Sequence, residues 1–224
     1  MPIRDWPAGE RPREKLISRG AAALSDTELV ALLISSGAGG HSAVDLARDG
    51  LQRHGSLRAL LRASPADLIA QPGVGPAMAA RILSAPELTR RALRESVVRL
   101  GTLTSSSNTR AFLHAQLRDR EHEVFCCVYL DNRNRVIEFV EVFRGTIDGA
   151  SVYPREIVKQ ALSYNAAHVI FAHNHPSGVA EPSAADERIT RRLQRALALV
   201  DIRVLDHIVV GDAGCVSLAE RGLL

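Results

Sequence analysis

Apolar positions in this 224-residue chain follow two different patterns, and the change falls near Gly101. Before it, Leu24–Leu33, Ala43–Leu51 and Leu57–Leu61 are rich in leucine and alanine and are broken by Gly, Ser and Pro, which predicts a small bundle of short helices. Gly37-Ala38-Gly39-Gly40 reads as a flexible connection between two of them. Pro65–Ala70 leads into the turn Gln71-Pro72-Gly73-Val74-Gly75-Pro76, and Ala77–Ile82 has the composition of a following helix.

After Gly101 helical and extended patterns alternate. Ser107–Leu117 predicts a helix, and Glu123–Asp131 and Val136–Phe143 read as strands joined by the turn-like Asn132-Arg133-Asn134. Arg155–Ser163 predicts a second helix, His168–Ala172 a central strand, Ala184–Leu199 a third helix and Arg203–Val210 another strand. Two domains are therefore expected, a helical one over 1–100 and a mixed α/β one over 101–224.

The central strand runs into His173-Asn174-His175-Pro176-Ser177-Gly178. On an extended backbone alternate side chains share a face, so His173 and His175 can present both imidazoles to one ion. Pro176, Ser177 and Gly178 break the strand, and Pro182-Ser183 reads as a helix start with Asp186 in its first turn. Two imidazoles and one carboxylate leave a corner of a tetrahedral zinc open for water, the pattern of a catalytic rather than a structural site. Such a water supplies hydroxide near neutral pH while the metal polarises a carbonyl. In the competing reading the histidines merely flank a strand end, and Ser183 and Asp186 form a capping pair at the required three-residue offset. Capping and ligation by Asp186 are compatible.

The pattern His-x-His-Pro-Ser-Gly-x-x-x-Pro-Ser-x-x-Asp is similar to the JAMM motif of the MPN-type metalloproteases. With Arg155-Glu156-Ile157 upstream and Asp206-His207-Ile208 downstream, it resembles the bacterial RadC family. Glu10–Leu16, Leu24–Leu29 and Gly73–Pro76 resemble the same family's N-terminal region, so the resemblance covers nearly the whole chain. It implies an MPN-like mixed sheet between helices, with cytidine-deaminase-like layering and the metal at the exposed end of the central strands. A small all-α domain with one helix-hairpin-helix motif is expected before it.

The resemblance further implies that His173, His175 and Asp186 hold Zn2+ and that the reaction is hydrolysis of a peptide or isopeptide substrate. A zinc hydrolase needs a proton carrier beside its water. In JAMM proteins this is a glutamate just after the first helix, at the start of a strand; Glu123 occupies that place, with Glu121 and Glu156 as competitors. The family gives Ser183 a second role, stabilising the charged tetrahedral intermediate, beside its role as a cap. Asn174, Ser177 and Gly178 are expected to shape the loop, and His168 and His207, outside the motif, to be packed or surface histidines.

Composition fits an ordinary globular protein, since 46% hydrophobic residues suffice for a core. Cys126, Cys127 and Cys215 cannot all pair and show no Cys-x-x-Cys spacing, which points to a reducing compartment. Met1–Pro7 lacks a signal-peptide hydrophobic segment and no run is long enough to span a bilayer, so a cytoplasmic protein is expected. The net charge of +3 divides into an excess of four basic residues over 1–100 and one acidic residue over 101–224. That modest asymmetry is compatible with a phosphate-backbone partner without demonstrating one.

The turn Gly73-Val74-Gly75 can offer backbone N–H groups to phosphate, as hairpins that bind DNA nonspecifically do. It reads equally as a tight interhelical turn in which Val74 plugs the local core. Met78 stands where such hairpins often carry a basic residue. Two functional classes thus remain. One is a zinc metallohydrolase. The other is a DNA-associated protein, in line with the family's historical link to DNA repair, in which the metal domain is structural or regulatory. A partner-binding scaffold is disfavoured by the complete ligand set.

Overall fold

Serines at helix starts organise the N-terminal half. In the computed structural model, which describes residues 5–100, 106–145 and 152–224, helices α1 (Pro12–Arg19), α2 (Asp26–Ile34), α3 (Ala43–His54), α4 (Leu57–Leu61) and α5 (Pro65–Ile69) follow one another. Ser25, Ser42, Ser56 and Ser64 each accept the backbone N–H three residues on, and Ser25 with Glu28 and Ser42 with Asp45 complete capping boxes. Helices α2 to α5 close on a core that includes Val30, Ile34, Val44, Leu46, Leu60 and Leu68.

Helix α6 (Pro76–Leu100) runs far past Ile82, where the sequence pattern stops, and continues through Pro86. It crosses the boundary between two compact units, Met1–Thr89 and Arg90–Leu224. Its last turns belong with the second unit because Arg90 Nη1 donates to Gln116 Oε1 at 2.9 Å and Arg94 Nη2 to Glu138 Oε1 at 2.9 Å. Gly101, where the change of pattern is expected, lies outside the described residues. Among the described residues no helix is long and apolar enough to cross a membrane.

In the second unit α7 (Ser106–Leu117) precedes β1 (Val124–Leu130) and β2 (Val136–Arg144), followed by α8 (Pro154–Ser163), β3 (His168–Asn174), α9 (Ala184–Ala198), β4 (Arg203–Val210) and the short β5 (Cys215–Ser217). The five strands form one sheet in the order β2-β1-β3-β4-β5. Only β3 and β4 are parallel neighbours, as the crossover through α9 requires.

Every residue of β1 is buried, so the strand needs cover on both faces. Val124, Cys126, Val128 and Leu130 join Phe112, Leu113 and Leu117 of α7 in one apolar layer. Phe125, Cys127 and Tyr129 join Ile157 and Ala161 of α8 and Leu193 and Leu197 of α9 in the other. Each fully buried Leu or Phe contributes about 1.5–3 kcal/mol, whereas an exposed pair such as Arg110 with Glu220 contributes about 0–1 kcal/mol. The two layers therefore set the frame.

Ligands of α/β sheets gather beyond the carboxyl ends of parallel strands. Here that place is the end of β3 and β4, where the start of α9 returns to the sheet. Because β1 is antiparallel to β3, its beginning lies at the same end.

Candidate metal centre

β3 ends at Asn174, and His175 extends it by one bond, its N–H donating to Val210 O at 2.9 Å. The two imidazoles consequently face one another, with His173 Nε2 and His175 Nε2 3.0 Å apart. Gly178 then reverses the chain at φ +82°, where a Cβ would lie 2.8 Å from Asp212 Oδ2. The returning chain enters α9 at Ser183, and the helical period turns Asp186, Thr190, Leu193 and Leu197 inward together.

Asp186 meets both histidines. Its Oδ1 lies 3.2 Å from His173 Nε2 and its Oδ2 3.4 Å from His175 Nε2. Asp186 is also the capping-box residue: Oδ2 accepts from Ser183 N–H and from the Ser183 hydroxyl, each at 2.7 Å. Glu123 completes the group, since one ligand atom from each of Glu123, His173, His175 and Asp186 lies within 4.8 Å of the others. The register explains its place. Phe125 pairs with His173, so two residues earlier Glu123 stands level with His175.

Asp186 is 1% exposed and His173 0%, and an ionised carboxylate at that depth requires partners. Burial opposes its charge, but the adjoining imidazoles of His173 and His175 outweigh burial and hold the carboxyl well below the usual carboxylate range. The nearby carboxylate of Asp186 in turn raises the His175 pKa against the effect of burial. This set of imidazole and carboxylate donors can hold a metal ion.

Residues outside the motif hold the group in place. The buried Asn174 accepts from Val124 N–H at 2.8 Å and donates to His122 O at 3.1 Å, fastening the segment that carries Glu123. His207, expected to be a packed or surface histidine, is packed: it is fully buried, with its Nε2 2.8 Å from His173 Nδ1. Burial pushes its pKa well below the ordinary histidine value. The signal was available in the apolar run of β4, since a polar ring in such a strand demands buried partners. His168 lies apart, bonded through Nδ1 to Asn134 Oδ1 at 2.7 Å.

The other anticipated residues are placed as follows. The Ser183 hydroxyl is engaged by Asp186, donating to Oδ2 and accepting from N–H at 3.1 Å. Glu121 is exposed and Glu156 pairs with Arg155 at 3.1 Å; neither joins the cluster. In the N-terminal unit Val74 is buried and Gly73 adopts φ +84°, with a Cβ there 2.9 Å from Leu46 Cδ2. Backbone geometry and packing therefore account for both. A Cβ at Gly75 would meet nothing within 4 Å.

Known proteins place this chain in context. A RadC-like JAB domain matches residues 103–223, and a UPF0758 N-terminal domain matches residues 3–80. A UPF0758 protein of Thioalkalivibrio sulfidiphilus is 62% identical over 100% of both chains. UPF0758 proteins of Nitrosococcus oceani and Halorhodospira halophila are each 58% identical, again over 100% of both chains. With one domain match covering more than half its length and relatives aligned end to end, the chain belongs to the RadC family, with its JAB/MPN-like domain preceded by a helical N-terminal region.

Proposed function

We propose that this chain is a zinc hydrolase of peptide or isopeptide bonds, with His173, His175 and Asp186 as ligands and Glu123 as proton carrier. Family membership and the four-residue cluster fit a metal-dependent hydrolase. The observation that carries the finer reading is the spacing of the ligand atoms, 3.0, 3.2 and 3.4 Å. Bonds of about 2.0–2.1 Å to a tetrahedral zinc separate neighbouring ligands by about 3.3–3.4 Å. The two imidazole nitrogens and the Asp186 carboxylate, met at Oδ1 by His173 and at Oδ2 by His175, thus stand at the separations of neighbouring ligands of one such ion, with a further corner left for water.

Zinc bound there supplies Lewis acidity, acidifying a water and polarising a carbonyl. Glu123 takes the proton that the water gives up as its oxygen adds to the amide carbon. When the C–N bond breaks, the same carboxyl returns that proton to the leaving nitrogen. Ser183 holds the ligand carboxylate through its bond to Asp186 Oδ2. Donating to a developing oxyanion would require that hydroxyl to turn away.

The test is incubation of the zinc-loaded full-length protein with peptide and lysine-linked isopeptide libraries, with products read by mass spectrometry. Cleavage that falls about 100- to 10,000-fold in a Glu123→Gln variant of equal zinc content supports the reading. Undiminished cleavage by that variant, or no cleavage by a protein carrying one zinc, counts against it.

A further inference from the structure

The two candidate ligands His173 and Asp186 are joined a second time, behind the metal-facing side, by a path through β4. His173 Nδ1 lies 2.8 Å from His207 Nε2, and His207 Nδ1 lies 2.5 Å from Thr190 Oγ1. Thr190 Oγ1 lies 2.5 Å from the backbone carbonyl of Asp186. All four residues are buried. Phe125 and Phe171 pack edge-on against the His207 ring at 5.5 and 5.9 Å between centroids, and among the described residues its two nitrogens bond to His173 and Thr190.

The direction of each bond follows from the last one. A carbonyl oxygen only accepts, so the single hydroxyl proton of Thr190 goes to Asp186 O. Thr190 Oγ1 must then accept from His207, which places the His207 proton on Nδ1. Neutral His207 has a bare Nε2, and that atom accepts from Nδ1–H of His173. The proton of neutral His173 is therefore on Nδ1, leaving a lone pair on Nε2, the atom that faces His175 and Asp186. His175 reaches the same tautomer directly, through Nδ1–H to Val179 O at 2.9 Å.

We propose that His207, anchored by Thr190, is a positioning residue that fixes the tautomer and ring orientation of His173 and ties that ligand to the helix bearing Asp186. Its bearing on metal binding rests on the hydrolase reading given above; the tautomer itself does not. Partners of this kind tune ligand basicity and orientation, and losing one lowers metal affinity by about 10- to 100-fold.

The test uses full-length protein labelled with 15N on histidine. Long-range proton–nitrogen spectra of the metal-free wild type should show His173 and His207 both protonated on Nδ1. His207→Leu, which offers no acceptor, should weaken Co2+ and Zn2+ affinity by about 10- to 100-fold. His207→Gln, whose amide can accept from His173 and donate to Thr190, should restore most of it. Thr190→Val supplies an independent variant, nearly isosteric, that removes the anchor and should release the His207 tautomer. An Nε2–H tautomer at His173 in the wild type overturns the proposal, as does wild-type affinity in a folded His207→Leu protein. If the wild type shows both Nδ1–H tautomers but binds no metal, the positioning role stands and the hydrolase reading fails.

Discussion

Asn174 accepts the backbone N–H of Val124 at 2.8 Å, so the residue between the two histidines also holds the strand start beside Glu123. One side chain thus sets the distance between the candidate ligands and the candidate proton carrier. Asn174→Ala leaves that amide buried without a partner, at a cost of about 1–3 kcal/mol. Denaturant unfolding should show this loss. In the zinc-loaded protein turnover should fall by a larger factor than zinc affinity. Equal stability and turnover in the variant would leave the clamp without a role.

The cap of α2, in the N-terminal unit, should make stability depend on pH. The carboxyl of Glu28 is held below its ordinary range first by the backbone N–H of Ser25, with Lys15 at 2.9 Å adding to it. A carboxyl lowered on folding contributes stability above its unfolded value, about 4.3, and loses that contribution as pH falls through the folded value. Glu28→Gln should therefore cost about 1 kcal/mol at pH 7 and much less at pH 3. Urea unfolding at the two pH values checks this, and an equal penalty at both contradicts it.

The three thiols should be inert in the folded chain. Burial pushes Cys127 up to about 12 and Cys215 to about 11, and raises Cys126 well above the ordinary thiol range. A thiol near 11 is only about one part in a thousand thiolate at pH 8. Alkylation at that pH should be slow in native protein and modify all three cysteines after unfolding. Prompt labelling of Cys127 in native protein would contradict its place in the central strand.

Much of this arrangement was legible in the chain, for identifiable reasons. Leu57–Leu61 and Arg203–Val210 were bounded as they are observed, since turn residues flank both. The period of a strand and the first turn of a capped helix, both local rules, bring His173, His175 and Asp186 together. β5 escaped because three residues show no period. Pro86 hid most of α6, since a proline inside a helical pattern ordinarily reads as its end.

The partners of His207 and Asn174 escaped for another reason. What each does depends on register, Phe171 with His207 on one side of β3 and Phe125 with His173 on the other. Register is a property of paired strands, which spacing along one strand cannot express.

The central claim is that His173, His175 and Asp186 form one open metal site while Glu123 stands beside it. The most direct measurement is zinc stoichiometry by elemental analysis, together with affinity, on full-length protein stripped with chelator and reloaded. About one zinc per chain is expected in the wild type and in Glu123→Gln, with binding lost in a folded His173→Ala/His175→Ala variant. A wild type that takes up no zinc, or a double variant that binds it as well as the wild type, would contradict the account.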